Sequence, residues 1–296
     1  MIKRTGYATT VLCAACLCVT ALTSCINESD AGCVQYSAKP CLEYNDGVEH
    51  SDPAVKSVKA YLFSDGKFDH SVEAGSDGRF PVSFDGSKST TLVMLGYPDN
   101  DSLSVNMPKE GESISEVSLS LLLSKGNLSP EGFYYGRFDY APSTSDTLNK
   151  EISVALYSKR ATVKVVVENL ENKYGSGGNY SIELSGFRSK VSFDGTIGGD
   201  SVTYSPKVAF DNSNNLCSDA VNTLPTKKGE DVTVTILRDD VIIWQFSDDS
   251  QGNAITLSGG DNKVVVVDVT HKEAMVFDGS SINEWQNEYG GSYTVD

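Results

Sequence analysis

Residues 152–170, ISVALYSKRATVKVVVENL, decide the fold class of this chain. The large apolar residues recur at every second position, as Ile152, Val154, Leu156, Val163, Val165 and Val167. A period of two is typical of β-strands that turn alternate side chains toward a core. The stretch therefore predicts two consecutive strands, and we place a domain junction between them, near Ser158.

The same pattern extends over most of the chain. Short runs rich in Val, Ile, Tyr and Phe alternate with clusters of Gly, Ser, Asp and Asn, which is the signature of strands and turns. The strand-like segments are 57–72, 78–84, 90–98, 114–123, 133–142, 179–187, 232–246 and 262–270. No long stripe with a period of 3.6 residues interrupts them. We therefore predict an all-β chain built from sandwiches, with hairpin turns at Asp65-Gly66 and Asp239-Asp240.

The N-terminus has the features of a bacterial export signal. A positive start leads into an apolar or small run over residues 8–21, which is shorter than the ~20 residues that span a membrane. The sequence LTSC at residues 22–25 resembles the lipobox of bacterial lipoproteins. We expect cleavage after residue 24 and acylation of Cys25, with an ordinary secretory signal as the alternative.

The residues after Cys25 are acidic. Glu28 and Asp30 in INESDAGC resemble the export tag that some Gram-negative anaerobes use to send lipoproteins to the outer face of the outer membrane. A solvated acidic linker is the alternative. We expect a lipid-anchored protein of the outer membrane that faces the outside rather than the periplasm.

The net charge of −16 excludes some classes of partner. Nucleic-acid binding needs a basic surface, which this composition does not supply. Side-chain docking on anionic lipid is disfavoured for the same reason, so the lipid on Cys25 has to hold the chain at the membrane.

The cysteines give few bonding options. Three of the seven lie in the predicted signal peptide, and Cys25 is assigned to lipid. In an oxidising compartment Cys33 and Cys41 could close a short loop, and Cys217 is either a loop thiol or the partner of one of them. Only three histidines are present, so a Cys/His metal site is not expected.

The order of these features resembles a known family. The lipobox and acidic tail of CINESDAGC are followed by VKAYLFSDGKF (58–68), TLVMLGYP (91–98) and SVALYSKRATVKVVVENL (153–170). Together they are similar to the fimbrial anchor lipoproteins of the fimbrillin superfamily, the minor-fimbriae anchors. The resemblance implies two transthyretin-like Greek-key β-sandwich domains and fimbrial stalk subunits as partners.

The resemblance and the strand pattern together give four regions. We assign residues 1–24 to the signal peptide and 25–50 to an acidic N-terminal tether. An N-terminal sandwich then covers 51–157, and a C-terminal sandwich covers 158–296.

The resemblance also implies how subunits join. Stalk subunits of these fimbriae lose an N-terminal strand to an arginine-specific protease, and the emptied groove accepts a neighbour's strand. This chain has no arginine between Cys25 and Arg79, so its N-terminus should stay attached. We expect polymerisation at the other end, through an exchangeable tail after Gly290-Gly291 that contains Ser292, Tyr293, Thr294 and Val295. The alternative is that Trp285 packs on the second sandwich and the last residues fray.

The sequence offers no catalytic or cofactor site. It contains no GxSxG motif, its acidic residues lie in turn contexts, and each histidine has the setting of a surface residue. The PDNDS sequence at 98–102 lacks the rest of a calcium loop and is interpreted as a turn. We expect a binding protein without enzymatic activity, cofactor or metal.

The sequence is also compatible with two other binding functions. One is a fimbrial tip or adhesin subunit of the same superfamily. The other is a surface glycan-binding lipoprotein, in which Tyr134, Tyr135, Phe138 and Tyr140 would stack on sugar rings.

Overall fold

A computed structural model of the chain describes residues 33–43, 47–53, 55–97, 103–121, 133–141 and 150–279. Within these ranges the chain forms nineteen strands and one five-residue helix, so the all-β prediction is confirmed. The first strands are β1 (Cys33–Glu43), β2 (Ser57–Ser64), β3 (Lys67–Val72), β4 (Phe80–Asp85), β5 (Thr90–Tyr97), β6 (Leu103–Val105), β7 (Ser118–Leu121), β8 (Tyr134–Tyr140), β9 (Lys150–Ser158) and β10 (Ala161–Glu168). They are followed by α1 (Leu170–Tyr174), β11 (Tyr180–Ser192), β12 (Ile197–Tyr204), β13 (Val208–Phe210), β14 (Leu216–Ser218), β15 (Val221–Thr223), β16 (Thr233–Arg238), β17 (Val241–Phe246), β18 (Asn262–Asp268) and β19 (Glu273–Asp278).

Sheet A contains most of the strands before residue 159. Its order is β3-β2-β5-β8-β9-β1-β4. Strand β1 is parallel to β9, and all other neighbouring pairs in the sheet are antiparallel. The rings of Phe84 on β4 and Tyr140 on β8 stack at 4.9 Å, although two strands separate β4 from β8 in the order. Sheet A therefore folds over on itself, and β9-β1-β4 covers one face of β3-β2-β5-β8.

Sheets B and C form the second layered part of the molecule. Sheet B has the order β17-β16-β11-β7-β6 with β12 on the other edge of β11, and sheet C has the order β13-β14-β10-β18-β19 with β15 beside β10. Their apolar faces share one core, to which Val165 of β10 and Ile236 of β16 belong. Strands β6 and β7 lie before the predicted junction near Ser158, yet both belong to sheet B, where β7 pairs with β11 and β6 pairs with β7. That junction therefore does not divide the strands cleanly.

The outer face of sheet A packs against sheet B. The rings of Tyr61 on β2 and Phe193 just after β11 lie 4.9 Å apart. The hydroxyl of Tyr135 on β8 also donates to the carbonyl of Phe193 at 2.9 Å. Through these contacts β2 and β8 meet the second layered part.

Two hairpins confirm the turn predictions. Asp65 and Gly66 both have positive φ, and the flanking Ser64 and Lys67 pair across the turn. Asp239 and Asp240 repeat this arrangement between β16 and β17. Two consecutive positive φ values define the type I′ turn, whose twist matches that of antiparallel strands.

Candidate functional site

Strand β1 fills a groove in sheet A. On one side residues 36–43 run parallel to β9, and on the other side residues 33–38 pair antiparallel with β4. Tyr36 and Ala38 are buried in the sheet A core. The tether prediction for residues 25–50 is therefore wrong for 33–43, because these residues are an integral strand and not a linker.

An ion pair spans β1 from one neighbour to the other. Arg79 directly precedes β4, and its Nη1 lies 2.8 Å from Oε1 of Glu151 on β9. Because β1 lies between β4 and β9, this pair connects the two walls of the groove. The hydrogen bond and the charge of Arg79 hold the pKa of Glu151 below its usual value. Arg79 is thus partly exposed and engaged in an ion pair.

The cysteines of β1 are kept apart. Cys33 and Cys41 are eight residues apart in one extended strand, which separates their Cα atoms by about 26 Å. A disulfide needs Cα atoms within about 7 Å, so β1 does not bring this pair together. Cys41 is a buried free thiol. Cys217 is also free, and burial followed by the charge of Asp211 raises its pKa to about 11.

Eight strands have an open edge among the described residues, and β17 differs from the others. Strands β12 and β15 are two of them, since each pairs with one strand only. Strands β3 and β4 end sheet A, β6 and β17 end sheet B, and β13 and β19 end sheet C. Val241 and Ile242 on β17 are 64% and 57% exposed. An exposed apolar edge is a surface that can pair with another strand. The sequence analysis does not identify this exposed edge. The unbroken apolar run VIIW at 241–244 is a signal for it, because a strand with only one covered face must expose some of these side chains.

Two predicted sites lie outside the described ranges. These are the acylation site Cys25 and the proposed exchange tail, Ser292 to Val295. The loop at 98–102 is also outside them. Among the described residues, no group of three or more His, Cys, Asp or Glu side chains is placed to hold a metal ion. In the same ranges no helix has the length and hydropathy to cross a membrane.

The row of tyrosines is not an exposed platform. Tyr134, Tyr135 and Tyr140 are buried, and Phe138 packs against the sheet A core. The prediction that these four rings stack on sugars is therefore wrong. Both faces of β8 are covered, one by β9-β1-β4 and the other by sheet B, which an alternating strand pattern alone does not reveal.

His50 is not a surface histidine either. Its Nε2 lies 3.0 Å from the hydroxyl of Tyr134, which itself donates to Asp52 at 2.9 Å. This part-buried chain of hydrogen bonds ties the segment after β1 to β8. His70 and His271 are exposed, and each lies beside an aspartate, Asp69 and Asp268 respectively.

Comparisons with known proteins place this architecture among fimbrial and adhesive proteins. The family profile described as "Fimbrillin-A associated anchor proteins Mfa1 and Mfa2" matches residues 28–287. The fimbrial anchor protein Mfa2 from Porphyromonas gingivalis superposes with a TM-score of 0.58 at 15% identity, over 81% of this chain and 95% of that one. A comparison with curated proteins found no match.

Two further solved structures share the fold. A proposed polysaccharide-binding protein from Bacteroides thetaiotaomicron gives a TM-score of 0.62 at 14% identity, over 82% of this chain and 95% of that one. A proposed adhesin from Bacteroides ovatus gives 0.60 at 17% identity, over 83% and 94%. At these identities the likeness concerns the fold.

Proposed function

Because this chain belongs to the family of fimbrillin-A associated anchor proteins Mfa1 and Mfa2, we propose that it holds a fimbrium at the outer membrane. A lipid on Cys25 ties the chain to the membrane, and β-strand contacts tie it to fimbrial subunits. The protein binds and carries load, and no catalytic step is part of this function.

The filled groove of β1 is the observation that carries the proposal. Stalk subunits of the family are expected to accept a neighbour's strand in a groove that their own N-terminal strand has left. Here β1 pairs with β9 and β4, and no arginine precedes it in the mature chain. A subunit with a filled groove cannot accept a strand, which suits a position at the end of a fibre.

The position of β1 also suits an anchor. Only seven residues separate Cys25 from Cys33, so the lipid and the first strand lie at most about 28 Å apart. Any pull between membrane and fibre reaches the fold through β1. Because β1 is bonded along both sides, several backbone hydrogen bonds have to fail together before it leaves the sheet.

Replacing Cys25 tests the membrane attachment. We expect Cys25→Ala to move the protein from the membrane fraction to the soluble fraction, since several acyl chains are lost at once and each buried CH₂ contributes ~0.8 kcal/mol. Membrane fractionation with labelling by a fatty-acid analogue measures this. Cys217→Ala is the matched control and should leave both label and location unchanged. A Cys25→Ala protein that stays on the membrane would refute the lipid assignment.

Deleting residues 290–296 tests the contact with the fibre. We expect the shortened protein to stay folded and membrane-bound, while fimbriae detach and appear in the culture medium. Ile242→Lys places a charge on the exposed edge β17 and, under this proposal, leaves fibres attached. Quantitative blotting of shed against cell-bound fimbrillin measures both variants. Fibres that stay attached to the deletion variant would exclude the tail as the contact.

Removing the whole protein separates an anchor from an adhesin. A strain without an anchor should shed its fibres, whereas a strain without a tip adhesin should keep them on the cell. Counting fibres on cells and in medium by electron microscopy distinguishes the two roles.

A further inference from the structure

A cleft opens between β8 and β9 on the outer face of sheet A. The two strands exchange only two residue pairs, Tyr134 with Ser158 and Tyr135 with Tyr157, although both strands continue past them. The cleft has a volume of about 470 Å³, within the range of small-ligand sites. It lies where β8 also contacts sheet B, and junctions between layered parts are common binding positions.

The floor of the cleft is formed by small residues. A Cβ atom on Gly136 would lie 2.4 Å from the carbonyl oxygen of Ala155, so the two backbones touch at this point. Ser153 and Ala155 continue the floor along β9. A strand inserted between two others needs them about 9.6 Å apart, twice the usual spacing. The close approach at Gly136 therefore excludes an inserted peptide strand and leaves room for a compact ligand lying on the face.

Two tyrosines line the same face of the cleft. Tyr135 and Tyr157 are paired across the strands, so their side chains lie on one side of the sheet. Tyr157 is 39% exposed, and its hydroxyl donates to Glu43 at 3.2 Å, which holds the ring in place. Tyr135 is buried, so Tyr157 supplies the accessible ring. A flat aromatic ring beside a floor of small residues is suited to packing against the C–H face of a sugar ring.

The remaining feature is a cation without a carboxylate partner. The Nζ atom of Lys159 lies 5.0 Å from the centroid of the Tyr135 ring, and no ion pair involves it within the described part of the chain. Burial lowers the pKa of Lys159. Arg137, the other basic group in the cleft, is already held by Asp139 at 2.8 Å. In a chain of net charge −16, Lys159 is the group that a ligand carboxylate would satisfy.

We propose that this cleft binds a carboxylated sugar, a uronic or sialic acid residue of a polysaccharide. The exposed ring of Tyr157 packs against the sugar ring, and Lys159 pairs with its carboxylate. This site is separate from the strand contacts proposed for fimbrial attachment and does not depend on them.

Affinity electrophoresis of the full mature chain in non-ionic detergent tests the proposal. The gels contain polygalacturonic acid, hyaluronan or polysialic acid, with dextran as the neutral control and polyglutamate as a polyanion without sugar rings. We expect retardation by at least one carboxylated polysaccharide and none by dextran or polyglutamate. An acidic protein is repelled by polyanions in general, so retardation here requires a specific site.

Variants of the cleft locate the binding. Lys159→Met should weaken the retardation at least tenfold and Tyr157→Ala comparably, while Tyr157→Phe keeps the ring and most of the binding. Lys88→Met removes an exposed lysine that pairs with Asp85 elsewhere and serves as the matched control. Melting curves of each variant separate lost binding from lost folding. Absence of retardation in all three gels, equal retardation by polyglutamate, or a folded Lys159→Met that binds like the parent would overturn the proposal.

Discussion

A mature chain that begins at Gly47, and therefore lacks β1, is expected to lose the folded state of sheet A. Its removal takes Tyr36 and Ala38 out of the core and leaves facing edges of β4 and β9 without hydrogen-bond partners. Truncating one large buried aromatic side chain alone costs roughly 3–5 kcal/mol, so the total loss reaches the usual stability margin of about 5–15 kcal/mol. We expect no single substitution in sheet A to destabilise the protein more than this deletion does.

Limited trypsin digestion measures this loss. Arg79 is paired with Glu151 in the intact protein and should be cut slowly there, but rapidly when β1 is absent. A synthetic peptide of residues 33–43 added in trans is expected to slow the cut again by refilling the groove.

A pair of substitutions within β1 tests the placement of this strand with a smaller change than the deletion. Ala38→Asp buries a charge at a fully buried position and should destabilise by roughly 4 kcal/mol, whereas Lys39→Ser changes the solvent side of the same strand and should stay within about 0.5 kcal/mol. Equal stability of Ala38→Asp and the parent would contradict the placement of β1.

Gly186→Ala is expected to be the most damaging single methyl addition in sheet B. Gly186 has a φ of +94°, and a Cβ there would lie 1.9 Å from the carbonyl oxygen of Asp231. It lies in a β-bulge of β11, between Leu184 and Phe187. Forcing both the backbone angle and the contact should destabilise by about 3–5 kcal/mol, a fall in melting temperature of roughly 10 °C.

Gly198→Ala is the matched control for this effect. Gly198 lies on β12, which pairs with β11, but its φ is unstrained and no atom lies within 4 Å of the added Cβ. We expect a change within about 0.5 kcal/mol. Calorimetric melting of both variants decides the matter, and similar curves for the two would show that the bulge is not required.

The bulge at Gly186 explains a feature of the fold that the sequence did not reveal. Along one edge, β11 pairs with β16 up to Ser185 and with β7 from Lys190 onward. The bulge between these two stretches lets the strand change partner. By its position in the sequence β7 belongs to the predicted N-terminal sandwich, and nothing in its alternating pattern indicates which strand will lie beside it.

The turns and the candidate sites also differ in whether the sequence predicts them. The turns at Asp65-Gly66 and Asp239-Asp240 were predictable, because a turn depends only on its own few residues. The cleft with Lys159 was not, because its parts come from two strands that pair at only two positions. The exposed edge at Ile242 was missed for a similar reason, since exposure depends on which neighbour is absent.

The sequence by itself determined that this chain is built of strands. Alternation such as that of Val163, Val165 and Val167 is a local property, since successive side chains of a strand must face opposite ways. The tertiary structure decided which strands are partners, and so placed β1 between β9 and β4 and buried the tyrosines of β8 on both faces. Backbone donors and acceptors are chemically alike in every strand, so pairing is settled only when distant side chains pack together into one core.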